Sequence, residues 1–485
     1  KKNMTLKKIK NITPVQIKNP KTVDLNSPWD LKIVGHIECI EKKHVDEILN
    51  IASKAFHDRS KLLNKVERIK ILEKCKNKLE KDSQKFAKII VLEGGKPLKD
   101  AKIEVERAIN GIGLCVEALN KCSGSEIPMN ISNSSLNKIA FTKKFPIGPV
   151  LAISAFNHPL NLIVHQVGPA IAAGCPVIIK PSLDTPLSCY ELIKILIESG
   201  LPKEFCQMIN TNDHMITQKF VSDPRISFFS FIGSAEVGWK LKSLLPPGAK
   251  CAMEHGGIGS VILDKDTNLK NILPSILRGA FYHAGQVCVS IQKVIVHEDL
   301  IEEFLDLLKK STKKLKVGNP SNIKTDVGPL IRPSEVKRID NIVKKSIKDG
   351  AEIICGGFSN KETTYECTVI KNPKDKSEIS QNEIFGPVLC VYDFRSMENA
   401  IKKANSEKYA FQSSVYTQNI DTAMLCYEKL EAKSVFINEQ TAFRVDWMPF
   451  GGIKSSGEGV GGIEYSFSDL LYDKLIIINS KNIIS

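Results

Sequence analysis

The chain has 485 residues, 42% of them hydrophobic and 25% charged, and its 68 Lys and Arg against 54 Asp and Glu give a net charge of +14. This composition excludes a disordered or fibrous chain and leaves room for roughly two to four domains with a large buried core. The excess charge is spread along lysine-rich stretches such as Lys61–Lys85 and Lys309–Lys316 without interleaved aromatics, so it reads as solvated surface with no nucleic-acid face.

No acidic residue precedes Asp24, and the start of the chain reads as a basic, partly ordered arm with the pattern of neither a signal peptide nor a transit peptide. Val45, Ile48, Leu49, Ala52 and Phe56 recur at helical spacing, which predicts a helix over His44–Phe56. Further helix is expected from Lys61 to about Ile90 and from Lys99 to Lys121. Gly124, Pro128 and the Asn-Ser runs break the pattern in Cys122–Lys144, and the alternation in Leu136–Lys144 predicts hairpin strands.

The longest stretch without a charged side chain, Phe145–Ile179, raises the question of a membrane span. It carries Pro146, Pro149, Pro159, Pro169 and Pro176 besides Asn157, Asn161, His165 and Gln166, a density of breakers and amides that predicts buried strands and a buried helix. The short apolar runs Val150–Ala155, Pro176–Lys180, Phe205–Asn210, Ser227–Ile232 and Val261–Leu263 alternate with helical segments, as in a parallel sheet covered on both faces. A second series is expected from Asn271. Its helices would lie near Leu273–His283 and Leu300–Lys313, and its strands near Ala351–Cys355, Pro387–Tyr392 and Ser434–Asn438. Two α/β units in series imply two domains with a crevice between them.

The 13 cysteines, an odd number with no C-x-x-C pair, read as reduced thiols of a cytoplasmic protein, with no disulfide framework and no metal site expected. Three segments carry chemistry. Ser230–Gly238 is an apolar strand, a glycine turn and a helix start, a place where a phosphate can meet free backbone N–H groups. Met253-Glu254-His255-Gly256-Gly257 sets a carboxylate beside two glycines, and Tyr282–Cys288 ends a helical segment in a glycine turn bearing a thiol. Taken singly, Cys288 could be inert packing and Glu254 a surface carboxylate. Together they form a thiol to attack a carbonyl and a carboxylate to activate the water that releases the thioester.

Asn157, Lys180, Gly233-Ser234-x-x-x-Gly238, Glu254-x-Gly-Gly, Gly285-Gln286-x-Cys288, Glu383-Ile384-Phe385-Gly386-Pro387 and Pro449-Phe450-Gly451-Gly452 follow one another in that order. This series resembles the NAD(P)-dependent aldehyde dehydrogenase superfamily from about His44 to Asp469, nearest its semialdehyde, lactaldehyde and phosphonoacetaldehyde dehydrogenase branch. The resemblance implies an α/β fold with a Rossmann-type cofactor domain (1–121 and 146–255), an α/β catalytic domain (256–457) and a small β oligomerisation extension (122–145 and 458–485), assembled as a homodimer or homotetramer. It implies Cys288 as nucleophile, Asn157 with the Cys288 N–H as oxyanion hole, and Glu254 as base for the hydrolytic water. It also implies NAD or NADP held by Lys180, Ser182, Gly233, Ser234, Gly238, Glu383 and Phe385.

Three residues depart from the family pattern. Leu183 stands where many NAD-preferring members carry a glutamate that repels a 2′-phosphate, which opens the site to NADP, although Asp184 beside it could restore some repulsion. His255 replaces the usual leucine after the base, and Phe156 replaces the usual tryptophan before the asparagine. For the substrate, the resemblance points to Arg444, Arg107 and His165, the last where semialdehyde-oxidising relatives often carry arginine. Each also has an ordinary reading: Arg444 as an exposed loop charge or an ion pair with Asp446, Arg107 as an ion pair with Glu104 or a neighbouring helix, and His165 as a hydrogen-bonded core histidine. Val287 beside the thiol weighs against a dianionic substrate. A short polar, anionic aldehyde such as succinate semialdehyde or sulfoacetaldehyde is expected, with lactaldehyde also in range. The alternatives are a coenzyme A-acylating semialdehyde dehydrogenase, from which Glu254 would be absent, and a catalytically silent scaffold.

Overall fold

The computed structural model describes residues 7–58 and 60–483; the first residues of the expected basic arm lie outside them. From Lys7 onward that arm is sheet: Lys7–Ile9, Ile33–Cys39 and Lys21–Asn26 form a three-stranded unit, the first pair parallel and the second antiparallel. The periodic segment near His44 is the helix Val45–His57. The stretch expected as one helix from Lys61 is two, Lys65–Lys81 and Ser83–Gly94, with Asp82 between them at φ −92° and ψ 11°. Leu72, Leu79 and Phe86 remain buried at heptad spacing through the break, which is why periodicity alone does not reveal it.

The first α/β unit is a six-stranded sheet in the spatial order Gly457–Glu458, Lys250–Glu254, Phe228–Ile232, Val150–Ile153, Val177–Lys180 and Cys206–Met208. All neighbours are parallel except the antiparallel edge pair formed by Gly457–Glu458. The chain runs from Val150–Ile153 outward to Cys206–Met208 and then returns to the other side at Phe228–Ile232. The strand order therefore reverses between Val150–Ile153 and Phe228–Ile232, and a crevice opens at their C-terminal ends. The helix Asn161–Ala173, every residue of it buried, packs on this sheet, and Leu98–Lys121 packs on that helix.

The second unit is a seven-stranded sheet ordered Glu352–Cys355, Thr368–Lys371, Val388–Phe394, Ile291–His297, Gly259–Leu263, Gln412–Tyr416 and Ser434–Ile437. Gly259–Leu263 pairs with Ile291–His297 and Gln412–Tyr416, so the second series opens there, earlier than the expected Asn271. Only His255–Ile258 separates the last long strand of the first sheet from this one, and residues of both units line the crevice.

The third element is a ribbon in which Leu471–Asn479 pairs antiparallel with Lys138–Pro146, which in turn pairs with Glu126–Ile127. Between the first sheet and this ribbon the helix Ile463–Asp469 returns to the first core, where Ile463 and Phe467 are buried. Among the described residues no helix is long and apolar enough to cross a membrane.

Candidate active site

A cavity of ≈ 660 Å³ runs along the crevice, within the range of small-molecule and cofactor sites. Asn157, Lys180, Ser182, Gly233, Ser234, Glu254, Cys288, Glu383 and Phe385 all contribute to its wall, as do Arg107 and Arg444. Residues far apart in sequence thus meet in one space.

The thiol sits in a turn held by backbone that only a special conformation provides. His283, Ala284 and Gly285 are successive left-handed residues at φ 49°, 57° and 70°, and a Cβ at Gly285 would run into the Gly386 carbonyl. Gln286 locks the turn: its Nε2 donates to His283 O at 3.1 Å and Pro329 O at 3.4 Å, and its Oε1 accepts from Ile331 N at 2.9 Å. The Asn157 amide donates to Gln286 O at 3.0 Å, tying the first unit to this loop. An amide nitrogen carries two hydrogens, so one remains for the cavity.

Burial pushes the Cys288 thiol up to about 12, with Glu254 adding to the rise and Arg444 opposing it. A raised value leaves less thiolate near neutral pH than free cysteine has, whose value lies near 8.5. Alkylation of the Cys288 peptide by iodoacetamide in cofactor-free protein, followed by mass spectrometry, is therefore expected to be slower than that of free cysteine at about pH 7. It should keep rising above about pH 9, where free cysteine levels off. Burial likewise raises the Glu254 carboxyl, against Arg444 and Lys433.

Other residues of the cavity wall suit a dinucleotide. Ser234 makes no side-chain cap to the helix Ala235–Lys242, so the first N–H groups of that helix are left for an anion beside Gly233 and Ser234. Glu383 Oε1 accepts from Gly257 N at 3.2 Å, and enclosure pushes its carboxyl up to about 8, leaving a group able to donate to or accept from a hydroxyl. Phe385 holds a left-handed φ of 52° with its ring edge-on to Phe156 at 5.8 Å, backbone strain of the kind found at functional sites. Leu183 and Asp184 line the same cavity, with Arg332 Nη2 3.7 Å from Asp184 Oδ2.

Two expected contacts stand elsewhere. Gly238 lies inside the helix Ala235–Lys242, where its missing side chain makes room for the His255 ring; it is a packing glycine and does not line the cavity. His255 is clamped by Phe231 and Trp239 and by an Nδ1 hydrogen bond to Gly233 O at 3.2 Å, so it supports the glycine turn from behind. His165 is buried off the cavity with Nε2 2.8 Å from Asp446 Oδ1, and burial lowers its value to about 4 despite that bond. It is the core histidine of the ordinary reading and carries no charge for a substrate at neutral pH.

Asp446 also settles the two arginines. Arg107 reaches it with Nε at 3.0 Å and Nη2 at 2.7 Å, and Asn161 Nδ2 adds a bond of 3.1 Å. Glu104 is paired instead with Lys96 and accepts the N–H groups of Leu160 and Asn161, fixing the helix that follows Asn157. Arg444 lies over the Phe450 ring at 3.5 Å, and its buried Nε has no partner among the described residues. Sequence reasoning missed Arg332 and Arg338 on the cavity wall, neither of which belongs to a local motif that could have marked it, and gave no role to Tyr282, which opens the Tyr282–Cys288 run and also lines the cavity.

The family model for the aldehyde dehydrogenase family matches residues 15–476 of this chain. The chain is 34% identical to a 3-sulfolactaldehyde dehydrogenase of Priestia aryabhattai over 413 residues, 85% of this chain and 86% of that protein. It is 35% identical to a lactaldehyde dehydrogenase of Methanococcus maripaludis strain C5 over 462 residues, 94% of this chain and 97% of that one. Among solved structures it is similar to aldehyde dehydrogenase 21 from Physcomitrella patens in complex with the reaction product succinate, with a TM-score of 0.94, 32% identity, and coverage of 99% of this chain and 100% of that one.

Proposed function

We propose residue roles and a substrate class for this chain from one premise: it belongs to the aldehyde dehydrogenase family. It is an NAD(P)-dependent oxidoreductase that converts a short polar aldehyde to its acid. In our reading the charged end of that aldehyde is anionic and meets Arg444. The observation that carries this is a cavity holding Cys288, Glu254 and Asn157, with an arginine on its wall whose buried Nε lacks a partner among the described residues.

Cys288 Sγ bonds to the aldehyde carbon, the thiol proton leaving to Glu254 or water. The free Asn157 N–H and the Cys288 backbone N–H hold the oxygen as it gains negative charge. NAD or NADP, held by the residues named below, would supply the hydride acceptor, and loss of the aldehyde hydrogen leaves the acyl group as a thioester on Cys288. Glu254 then takes a proton from water as its oxygen attacks, the C–S bond breaks, and the acid leaves. The Glu254 carboxylate in the same cavity supports hydrolysis over transfer to coenzyme A. Lys180, Ser182 and Glu383 would hold ribose hydroxyls, Gly233 and Ser234 the pyrophosphate, and Phe385 the nicotinamide. The six-stranded unit would then be the cofactor domain and the seven-stranded unit the catalytic one.

Arg444→Ala tests the substrate reading. It is expected to raise KM for succinate semialdehyde by roughly 10- to 100-fold, the loss of a charge-assisted pair, while KM for propanal hardly moves. Equal effects on both would remove Arg444 from the substrate. A cytoplasmic homodimer or homotetramer is the proposed state. The 13 free thiols support the compartment. The exposed run Leu475-Ile476-Ile477-Ile478 on the ribbon supports association, since a strand edge this apolar needs cover.

A further inference from the structure

We infer that Asp446 is a positioning residue that neutralises Arg107 and so limits the charged end of the substrate to a single negative charge. The inference rests on the anionic-aldehyde reading above and concerns the number of charges the site accepts.

Counting the ionisable groups around the substrate end of the cavity gives the reason. Arg107 is held by both Asp446 oxygens, at 3.0 and 2.7 Å, and the carboxylate is 2% exposed. His165 and Asn161 donate to the same Oδ1 at 2.8 and 3.1 Å, so the carboxylate has four hydrogen bonds and no water-facing side. Burial alone would raise the Asp446 carboxyl, but the bonds from His165 and Arg107 prevail and hold it well below the usual carboxylate range. Asp446 is therefore a fixed negative charge, and His165 is neutral. Lys96 is cancelled by Glu104. Lys433 faces Glu254 and offsets it when that carboxylate is ionised. His158 is kept neutral by burial beside Lys96 and Arg107. Among the described residues Arg444 makes no ion pair: Glu254, which it shares with Lys433, and Asp446 act on it only at longer range, so it is the cation left without a contacting carboxylate. A carboxylate or sulfonate matches it. A dianion would place a second negative charge in an enclosed site whose other arginine is already paired, which costs several-fold to many-fold in binding.

Two aldehydes isolate the charge. 3-Sulfolactaldehyde and glyceraldehyde 3-phosphate share a three-carbon hydroxyaldehyde body, but the sulfonate carries one charge and the phosphate close to two at about pH 8, its second pKa being about 6. The wild-type kcat/KM is expected to favour the sulfonate. Asp446→Asn keeps the size but removes the negative charge, frees Arg107 as a second cation, and is expected to shift the ratio toward the phosphate by roughly tenfold or more. Asp446→Glu, which retains the charge, should keep the wild-type preference. A merely structural role would lower both kcat/KM values together and leave the ratio unmoved, and that result overturns the inference, as does a wild-type preference for the phosphate. Inhibition of the wild type by propanesulfonate and propyl phosphate against one aldehyde gives a measure that does not depend on the folding of a variant. The sulfonate should bind at least roughly tenfold tighter, and equal or tighter binding of the phosphate sinks the proposal. If propanal is oxidised while neither anionic aldehyde is, the anionic reading itself fails and the inference goes with it. A failure confined to the Asp446→Asn ratio leaves that reading standing.

Discussion

Cys288→Ala is expected to lower aldehyde oxidation by roughly 10⁴- to 10⁶-fold while NAD(P) binding, followed by protein fluorescence quenching, stays near the wild-type value. The two readouts separate because of where the residue sits. Cys288 is carried by the loop before Ile291–His297 of the second sheet, whereas Lys180, Ser182 and Ser234 lie at or just after strands of the first, so in the proposed roles its sulfur serves the aldehyde and not the dinucleotide. Without the sulfur no thiohemiacetal forms, and none of the other 12 cysteines is on the wall of this cavity to replace it. Alanine removes a half-buried side chain next to Val287 and Val289 without creating a buried charge, so the fold should survive. Retained turnover would show that another group attacks the carbonyl.

Glu254→Gln separates the two halves of the reaction. The variant should release about one reduced cofactor per site in a rapid burst and then slow by roughly 10²- to 10⁴-fold, the usual contribution of a positioned general base. Glutamine keeps the shape but cannot take a proton from water, so the acyl group remains on Cys288 and is detectable by intact-mass measurement. Steady turnover without a burst would place the base elsewhere. The wild-type pH profile should agree in sign. Burial raises the Glu254 carboxyl, so a larger share is protonated and idle on the acid side than for an exposed glutamate, and hydrolysis should rise with pH through that raised value.

The reacting groups are legible in the sequence because each lies in a short run whose glycines and neighbours are local. Glu254 precedes Gly256 and Gly257, and Cys288 follows Gly285. What decides the substrate end is not local. Arg107 and Asp446 are 339 positions apart, and nothing along the chain shows that this carboxylate takes Arg107 and not Arg444. His165 illustrates the same blindness: its position on the helix is readable, but its burial against Asp446, which strips it of charge, is not.

The strands missed in the second sheet have a related cause. Ile291–His297 contains Gln292 and Lys293, which break an apolar run, yet every residue but the last is buried. Gln292 is satisfied by Ile379 O, Asn382 O and Ile384 N, and Lys293 by Glu407. Gln412–Tyr416 is similar, its Gln412 and Ser414 bonding to Thr441 O and Glu439 O. A polar side chain whose partner comes from a distant loop makes a core strand look like surface.

The lock around Gln286 also bears on how the protein comes into being. The loop that carries the thiol is fastened on one side to Asn157 and on the other to Pro329 and Ile331. On a ribosome the chain emerges from its N-terminus, and the strands that hold Asn157 can order well before residue 331 has left the tunnel. Until the later segment docks, Cys288 is an ordinary cysteine on an unanchored turn, with no oxyanion partner. Reactivity toward aldehydes therefore arises as a late property of the whole chain, and a product cut short before Ile331 would carry the nucleophile without the means to use it.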